Sequence, residues 1–183
     1  MEMKTHGLKL NLGDKAPDFN LIGIDDKNRS LSEFKNKNIL VVVFMCNHCP
    51  YVQANTERLI MMQKEFAGSG VQFVGINSND EKLYSEDSFD KMKVYARIRG
   101  FNFPYLRDAD QKVAKAYDAQ CTPEVYVFDK EKKLRYHGRI DDNYQDSGAA
   151  KSHDLKDAIA AIVEGKEVPR PLTNAIGCSI KWV

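Results

Sequence analysis

The stretch Val41-Val42-Val43-Phe44-Met45-Cys46-Asn47-His48-Cys49-Pro50 carries an apolar, largely β-branched run into two cysteines two residues apart and then a proline. Such a run reads as a buried strand delivering a Cys-x-x-Cys to the first turn of a helix. Proline is tolerated in that turn, where its missing N–H leaves no bond unmade, and the unpaired N–H groups there favour negative charge. A thiolate is therefore favoured at the site. Only the thiolate attacks a disulfide or a peroxide, or binds a metal, so the sequence points first to redox chemistry.

Outward from this stretch, Val52, Leu59, Met62 and Phe66 fall on one face at helical spacing until Gly68 and Gly70, which predicts an amphipathic helix about five turns long. Residues 71–77 alternate as a second core strand and stop in polar Ser78-Asn79-Asp80. Strand, helix, strand implies a parallel pair with a crossover. Upstream, residues 21–24 and the turn-forming Asp25-Asp26-Lys27-Asn28 predict a small hairpin, after an irregular stretch at 8–19. Ser30 is positioned to cap a short helical turn ending at Phe34. Downstream, Ser88 opens a helix carrying Phe89, Met92 and Ala96 and closed by Gly100, and 111–117 reads as a short helix, with 103–106 lying between them. Residues 125–128 and 134–140 read as an antiparallel hairpin, and 141–150 as a loop. Leu155, Ile159 and Ile162 mark a last amphipathic helix that ends at Gly165; the tail, 168–183, is read as extended and holds Cys178 and Trp182. One domain over 1–183 is expected.

With 27 Lys+Arg against 26 Asp+Glu, the 183-residue chain has no global field to capture nucleic acid or an anionic membrane, and neither is expected as a partner. The first residues offer no apolar core for a signal peptide, and no run approaches the ~18 apolar residues of a membrane span, so a cytoplasmic protein is expected. Four cysteines are too few for a disulfide scaffold. No glycine loop for a nucleotide and no flavin fingerprint is present, which implies no organic cofactor. No metal is assigned: His6, His137 and His153 lack ligand spacing and are read as structural or exposed, and Asp141, Asp142 and Asp146 as a solvated loop without the EF-hand pattern.

The order of elements, together with Gly13-Asp14-Lys15-Ala16-Pro17-Asp18-Phe19, Phe44-Met45-Cys46-Asn47-His48-Cys49-Pro50-Tyr51, Gly75-Ile76-Asn77-Ser78-Asn79-Asp80, Cys121-Thr122-Pro123, Gly138-Arg139-Ile140-Asp141-Asp142 and Gly177-Cys178-Ser179-Ile180-Lys181-Trp182, resembles the peroxiredoxin-like branch of the alkyl hydroperoxide reductase/thiol-specific antioxidant group within the thioredoxin superfamily. The resemblance covers nearly the whole chain. It implies an α/β thioredoxin-like fold: a central mixed β-sheet flanked by helices, with an N-terminal hairpin and an extended C-terminal tail. It also implies a cis Thr122–Pro123 bond beside the dithiol, with the backbone of Thr122 free to pair with an extended peptide substrate.

By that resemblance Cys46 attacks a target disulfide and Cys49 resolves the mixed disulfide. His48 either lowers the Cys46 pKa, as in oxidising members with the same Cys-x-His-Cys ending, or is an idle solvent-facing histidine. Cys121, two residues before the cis-proline, could resolve an intermediate, complete a metal site with Cys46, His48 and Cys49, or be a small buried hydrophobe. Cys178 is read as an anchor for the tail. Two departures narrow the mechanism. The proline and threonine that peroxiredoxins place upstream of their peroxidatic cysteine are absent, as is an arginine in 121–125, so a peroxidase centred on Cys49 ranks below dithiol exchange. The buried carboxylate that thioredoxins carry before the dithiol is also missing, and Glu124, the one substitute, is read as a surface carboxylate. The function expected is a thiol-disulfide oxidoreductase working through a Cys46/Cys49 couple on protein or small-molecule disulfides or peroxides, with a reducing thiol as partner. The alternatives are the Cys49 peroxidase and a non-catalytic metal-binding or redox-sensing module of Cys46, His48, Cys49 and Cys121.

Overall fold

A computed structural model describes residues 10–183, so His6 and the first residues of the irregular stretch at 8–19 lie outside the described residues. The turn at Asp25-Asp26-Lys27-Asn28 closes a hairpin of β1 (Asn20–Gly23) and β2 (Asn28–Ser30), with Asp26 in the left-handed region at φ 61. A single 3₁₀ turn, Leu31–Phe34, follows Ser30. The apolar run forms β3 (Ile39–Phe44), and Pro50 opens α1 (Pro50–Phe66), whose 17 residues match the expected length. Gly70, at φ 76, turns the chain into β4 (Val71–Asn77), which lies parallel to β3 from Ile39 opposite Val71 to Phe44 opposite Ile76.

Helix α2 (Phe89–Arg99) ends at Gly100, whose φ of 72 lies in the left-handed region that glycine adopts most readily. The next element, β5 (Tyr105–Arg107), has no assignment in the sequence because three residues are too few to show a period. It inserts between β1 and β4, and so joins the hairpin to the core sheet. Helix α3 (Lys112–Tyr117), the two-residue β6 (Cys121–Thr122), the antiparallel pair β7 (Glu124–Phe128) and β8 (Leu134–Gly138), and α4 (Asp154–Val163) complete the main body. The tail is not simply extended: β9 (Cys178–Ser179) returns to pair with β6.

The seven-stranded mixed sheet runs β2-β1-β5-β4-β3-β7-β8. Every residue of β3 is buried because the strand is covered on both faces, which is why it reads as unbroken apolar sequence rather than as an alternation. On one face Val41 and Val43 meet Val52 and Leu59 of α1, Met92 of α2, and Leu155 and Ile159 of α4. On the other, Leu40, Val42 and Phe44 meet Val113 and Tyr117 of α3 with Leu10, Phe19 and Phe34. Each such side chain contributes about 1.5–3 kcal/mol by leaving water. Because β3 and β4 are parallel, both release their chains at the same end of the sheet, and the cysteines emerge there beside the loop after Asn77. Among the described residues no helix is long and apolar enough to cross a membrane.

Candidate active site

Strand β3 holds its pairing to the last residue before the motif, with Met45 N–H donating to Ile76 O at 2.9 Å. The chain then bends through Asn47 and His48, and Cys49 becomes the N-cap of α1 at φ −70, ψ 122. Cys46 and Cys49 are both free and fully buried. The Thr122–Pro123 bond is cis, and Thr122 touches both sulfurs: its Oγ1 lies 3.4 Å from Cys46 Sγ and its carbonyl oxygen 3.3 Å from Cys49 Sγ. Thr122 therefore lies beside the dithiol.

What occupies the free edge of Thr122 differs from expectation. Thr122 pairs with Cys178 and Cys121 with Ser179, so the chain's own tail fills the edge expected to hold an extended peptide. Gly177 permits this approach, since a Cβ there would lie 2.0 Å from Thr122 O. Both the thiol and the backbone N–H of Cys178 bond to Cys49 Sγ. Cys178 is therefore a third thiol at the dithiol. Cys121 is buried, and its thiol is pushed up by that burial and then by the charge of Glu124, toward which it bonds.

The two motif cysteines are electrostatically opposite. Cys49 is drawn down to about 4, chiefly by the hydrogen bond from the Cys46 thiol, against the effect of burial, with further donation from the Cys178 thiol and from the N–H groups of Val52 and Cys178. Cys46 is pushed up by the same shared proton, then by burial and by the charge of Asp87. The loop between the cysteines puts Cys49, not Cys46, at the helix N-terminus, a position that also favours negative charge. The Thr122 carbonyl, 3.3 Å from the same sulfur, acts in the opposite sense, as the acceptor of a protonated Cys49.

Asp87 was not legible as a site residue, because Ser85-Glu86-Asp87 reads as the acidic approach to a helix. It is fully buried in a 3₁₀ turn and accepts from Asn47 N–H at 2.6 Å, His48 Nδ1 at 2.5 Å and Asn79 Nδ2 at 2.9 Å. The His48 ring also stacks on Tyr84, centroids 4.2 Å apart, so it is not an idle loop histidine. A Cys46 sulfur, a His48 ring nitrogen and an Asp87 oxygen lie within 4.8 Å of one another, without Cys121. The ligand set read from sequence is therefore not assembled. In this smaller cluster His48 and Asp87 are bonded directly to each other.

Glu124 is fully buried rather than on the surface. It sits on β7 in phase with Tyr126 and Phe128, whose side chains face away from α1, and so is on the opposite face of the sheet from Cys46 and Cys49. Burial would raise its pKa, but the His137 partner at 2.6 Å and the Gln120 and Cys121 N–H groups at 2.7 and 3.0 Å outweigh that and hold it below the usual range. It cannot take a proton from the dithiol; it fixes the backbone that leads to the cis-proline. His137 is buried against Tyr126 and His153 is exposed. The acidic loop is likewise not solvated throughout: Asp141 is buried and binds Arg58 at 2.7 Å, while Asp142 and Asp146 accept backbone N–H groups of their own loop.

A cavity of about 740 Å³ adjoins the His48 ring, lined mainly by Gln53, Tyr84, Val94, Tyr95 and Ile98. The fold is thioredoxin-like. The chain is 29% identical over 122 residues to the thiol-disulfide oxidoreductase ResA of Bacillus subtilis, covering 67% of this chain and 64% of that protein. A Mycobacterium tuberculosis protein named as a candidate peroxiredoxin is 27% identical over 122 residues, covering 67% and 73%. The crystal structure of a hypothetical protein from Sinorhizobium meliloti superposes with a TM-score of 0.90 at 39% identity, covering 96% of each chain. Residues 12–137, from the segment before the hairpin through the strand that carries His137, match the AhpC/TSA family, and the chain belongs to that family.

Proposed function

We propose that this chain is a thiol-disulfide oxidoreductase in which Cys46 and Cys49 cycle between dithiol and disulfide, with Cys49 as the attacking thiolate and Cys46 as the thiol that closes the internal bond. The observation that carries this reading is the placement of Cys49 at the N-cap of α1, hydrogen-bonded by its neighbours, while Cys46 faces the buried Asp87. Cys49 exchanges into a disulfide and expels a thiolate; Cys46 then attacks Cys49 Sγ and expels the second. The proton that Cys46 gives up lies next to the His48–Asp87 pair, the nearest polar couple able to receive it. Thr122 and Pro123 flank the exchange. Disulfides of proteins or small molecules are the substrate class, and a reducing thiol closes the cycle. The name of the Bacillus subtilis relative supports the same chemistry. The test is turnover of a disulfide in the presence of a dithiol reductant: Cys46→Ser and Cys49→Ser should each abolish it, and full turnover in either would overturn the reading.

A second reading rests on the same thiolate. A stabilised Cys49 thiolate is the group that cleaves a peroxide O–O bond, becoming a sulfenic acid that Cys46 converts to the disulfide with loss of water. Peroxide consumption that disappears in Cys49→Ser would favour it.

A further inference from the structure

The dithiol has no exposed sulfur: Cys46 and Cys49 are each 0% accessible. Cys178 alone of the thiols near them is partly exposed, and it packs against the core cluster that contains both. Its position is fixed from both sides. Ahead of it, Gly177 lies against the Thr122 carbonyl. Behind it, Ile180 N–H donates to Gln120 O at 3.0 Å, Lys181 N–H to Asn79 Oδ1 at 2.9 Å, and Val183 N–H to Gln111 Oε1 at 3.0 Å. The tail therefore lies where a strand-adding substrate would, with a cysteine at the sulfur a substrate would have to reach.

We infer that Cys178 is a third redox-active cysteine, which exchanges disulfide with Cys49 and so connects the buried pair to disulfides in solution. The inference rests on the dithiol reading above and adds the route by which electrons leave the site. The Cys178 thiol gives its proton to solvent, its sulfur attacks an external disulfide, and one external thiolate departs. Cys49 then attacks Cys178 Sγ, forming a Cys49–Cys178 bond and expelling the second external thiolate. Cys46 attacks Cys49 Sγ, which forms the Cys46–Cys49 disulfide and frees Cys178 as a thiolate. The two expelled thiolates take, by way of solvent, the protons given up by Cys178 and Cys46, and Cys178 regains one from solvent. In sum, one external disulfide gains two electrons and becomes two thiols, and the Cys46/Cys49 pair is oxidised by the same two electrons. Burial, and then the bond to Cys49, push Cys178 up to about 11, so loss of its proton to solvent limits the first step and the step should quicken as the pH rises.

The test uses the full chain with glutathione disulfide as probe, followed by acid quench, alkylation and peptide mapping. Cys46→Ser, which retains both partners of the proposed bond, should accumulate a Cys49–Cys178 disulfide. Cys178→Ser, whose hydroxyl still donates to Cys49, should slow oxidation of the Cys46/Cys49 pair by about tenfold or more, and Cys178→Ala should do the same. A Cys49–glutathione adduct with Cys178 free in Cys46→Ser, or wild-type oxidation rates in both Cys178 variants, would overturn the inference. Failure of the dithiol reading looks different: the wild-type protein would then form no Cys46–Cys49 bond, whatever Cys178 does. If Cys178→Ser and Cys178→Ala do not fold, the Cys46→Ser product alone decides.

Discussion

Asp87 Oδ2 lies 2.5 Å from His48 Nδ1, deep at the end of the sheet where the loops after β3 and β4 meet. The same carboxylate bonds the Asn47 N–H and Asn79 Nδ2, so one buried side chain fixes the loop that carries the cysteines and the charge that Cys46 faces. Asp87→Asn removes that charge and one acceptor oxygen. It should cost about 1–3 kcal/mol of stability, since buried donors lose their partner. It should also lower the Cys46 thiol pKa and slow closure of the internal disulfide by roughly a hundredfold, if the pair takes the proton. Denaturant unfolding and stopped-flow oxidation over a range of pH measure the two effects separately.

Gly177 is required by proximity alone, with Thr122 O at 2.0 Å from the place a Cβ would take. Gly177→Ala should displace β9 from β6, cost about 1–3 kcal/mol, and speed alkylation of Cys178 in the folded protein. Unfolding curves and a timed alkylation with mass readout check both. Unchanged reactivity of Cys178 would mean that the tail does not depend on this contact.

Glu124 and His137 form a buried pair 2.6 Å apart. Glu124→Ala leaves the imidazole and two loop N–H groups unanswered and should destabilise the protein by about 3–5 kcal/mol, measured by urea unfolding. The loss should fall on stability first, because the side chain lies on the face of the sheet away from the dithiol.

Much of this could be read in advance. The β3 run, the proline after Cys49 and the glycines after α1 and α2 each carry a local physical reason, and the structure keeps all of them. The short β5 and the β6–β9 pair were not legible, because two or three residues show no period and tail pairing is a long-range contact. Glu124 was misread for want of phase: counted back from Tyr126 on a central strand, it faces the buried side. Asp87 and Cys178 lie about 40 and 130 residues from Cys49, and only the fold brings them to it. The roles proposed for the two cysteines have the same origin, since they depend on which residue caps the helix and which faces the carboxylate.

The depressed Cys49 pKa sets a pH dependence. A thiol whose folded pKa lies below the unfolded value of about 8.5 adds stability that is fully present above that value. This stability is lost as the pH falls toward about 4. The raised Cys46 pKa acts in the other window, withdrawing stability as the pH climbs past about 8.5. The reduced protein should therefore gain stability over the oxidised one between about pH 4 and 8, checked by unfolding both forms across that range. The ultraviolet absorbance of the thiolate should titrate near pH 4 and vanish in Cys49→Ser.

A redox titration in glutathione buffers, quenched with acid and mapped peptide by peptide for all four cysteines, tests the dithiol mechanism most directly. One midpoint is expected, with a Cys46–Cys49 disulfide at equilibrium and Cys121 and Cys178 reduced. Because a stabilised thiolate favours the reduced form, that midpoint should lie above the roughly −270 mV of thioredoxin. Cys46 and Cys49 remaining unlinked across the whole range would contradict dithiol exchange at this site.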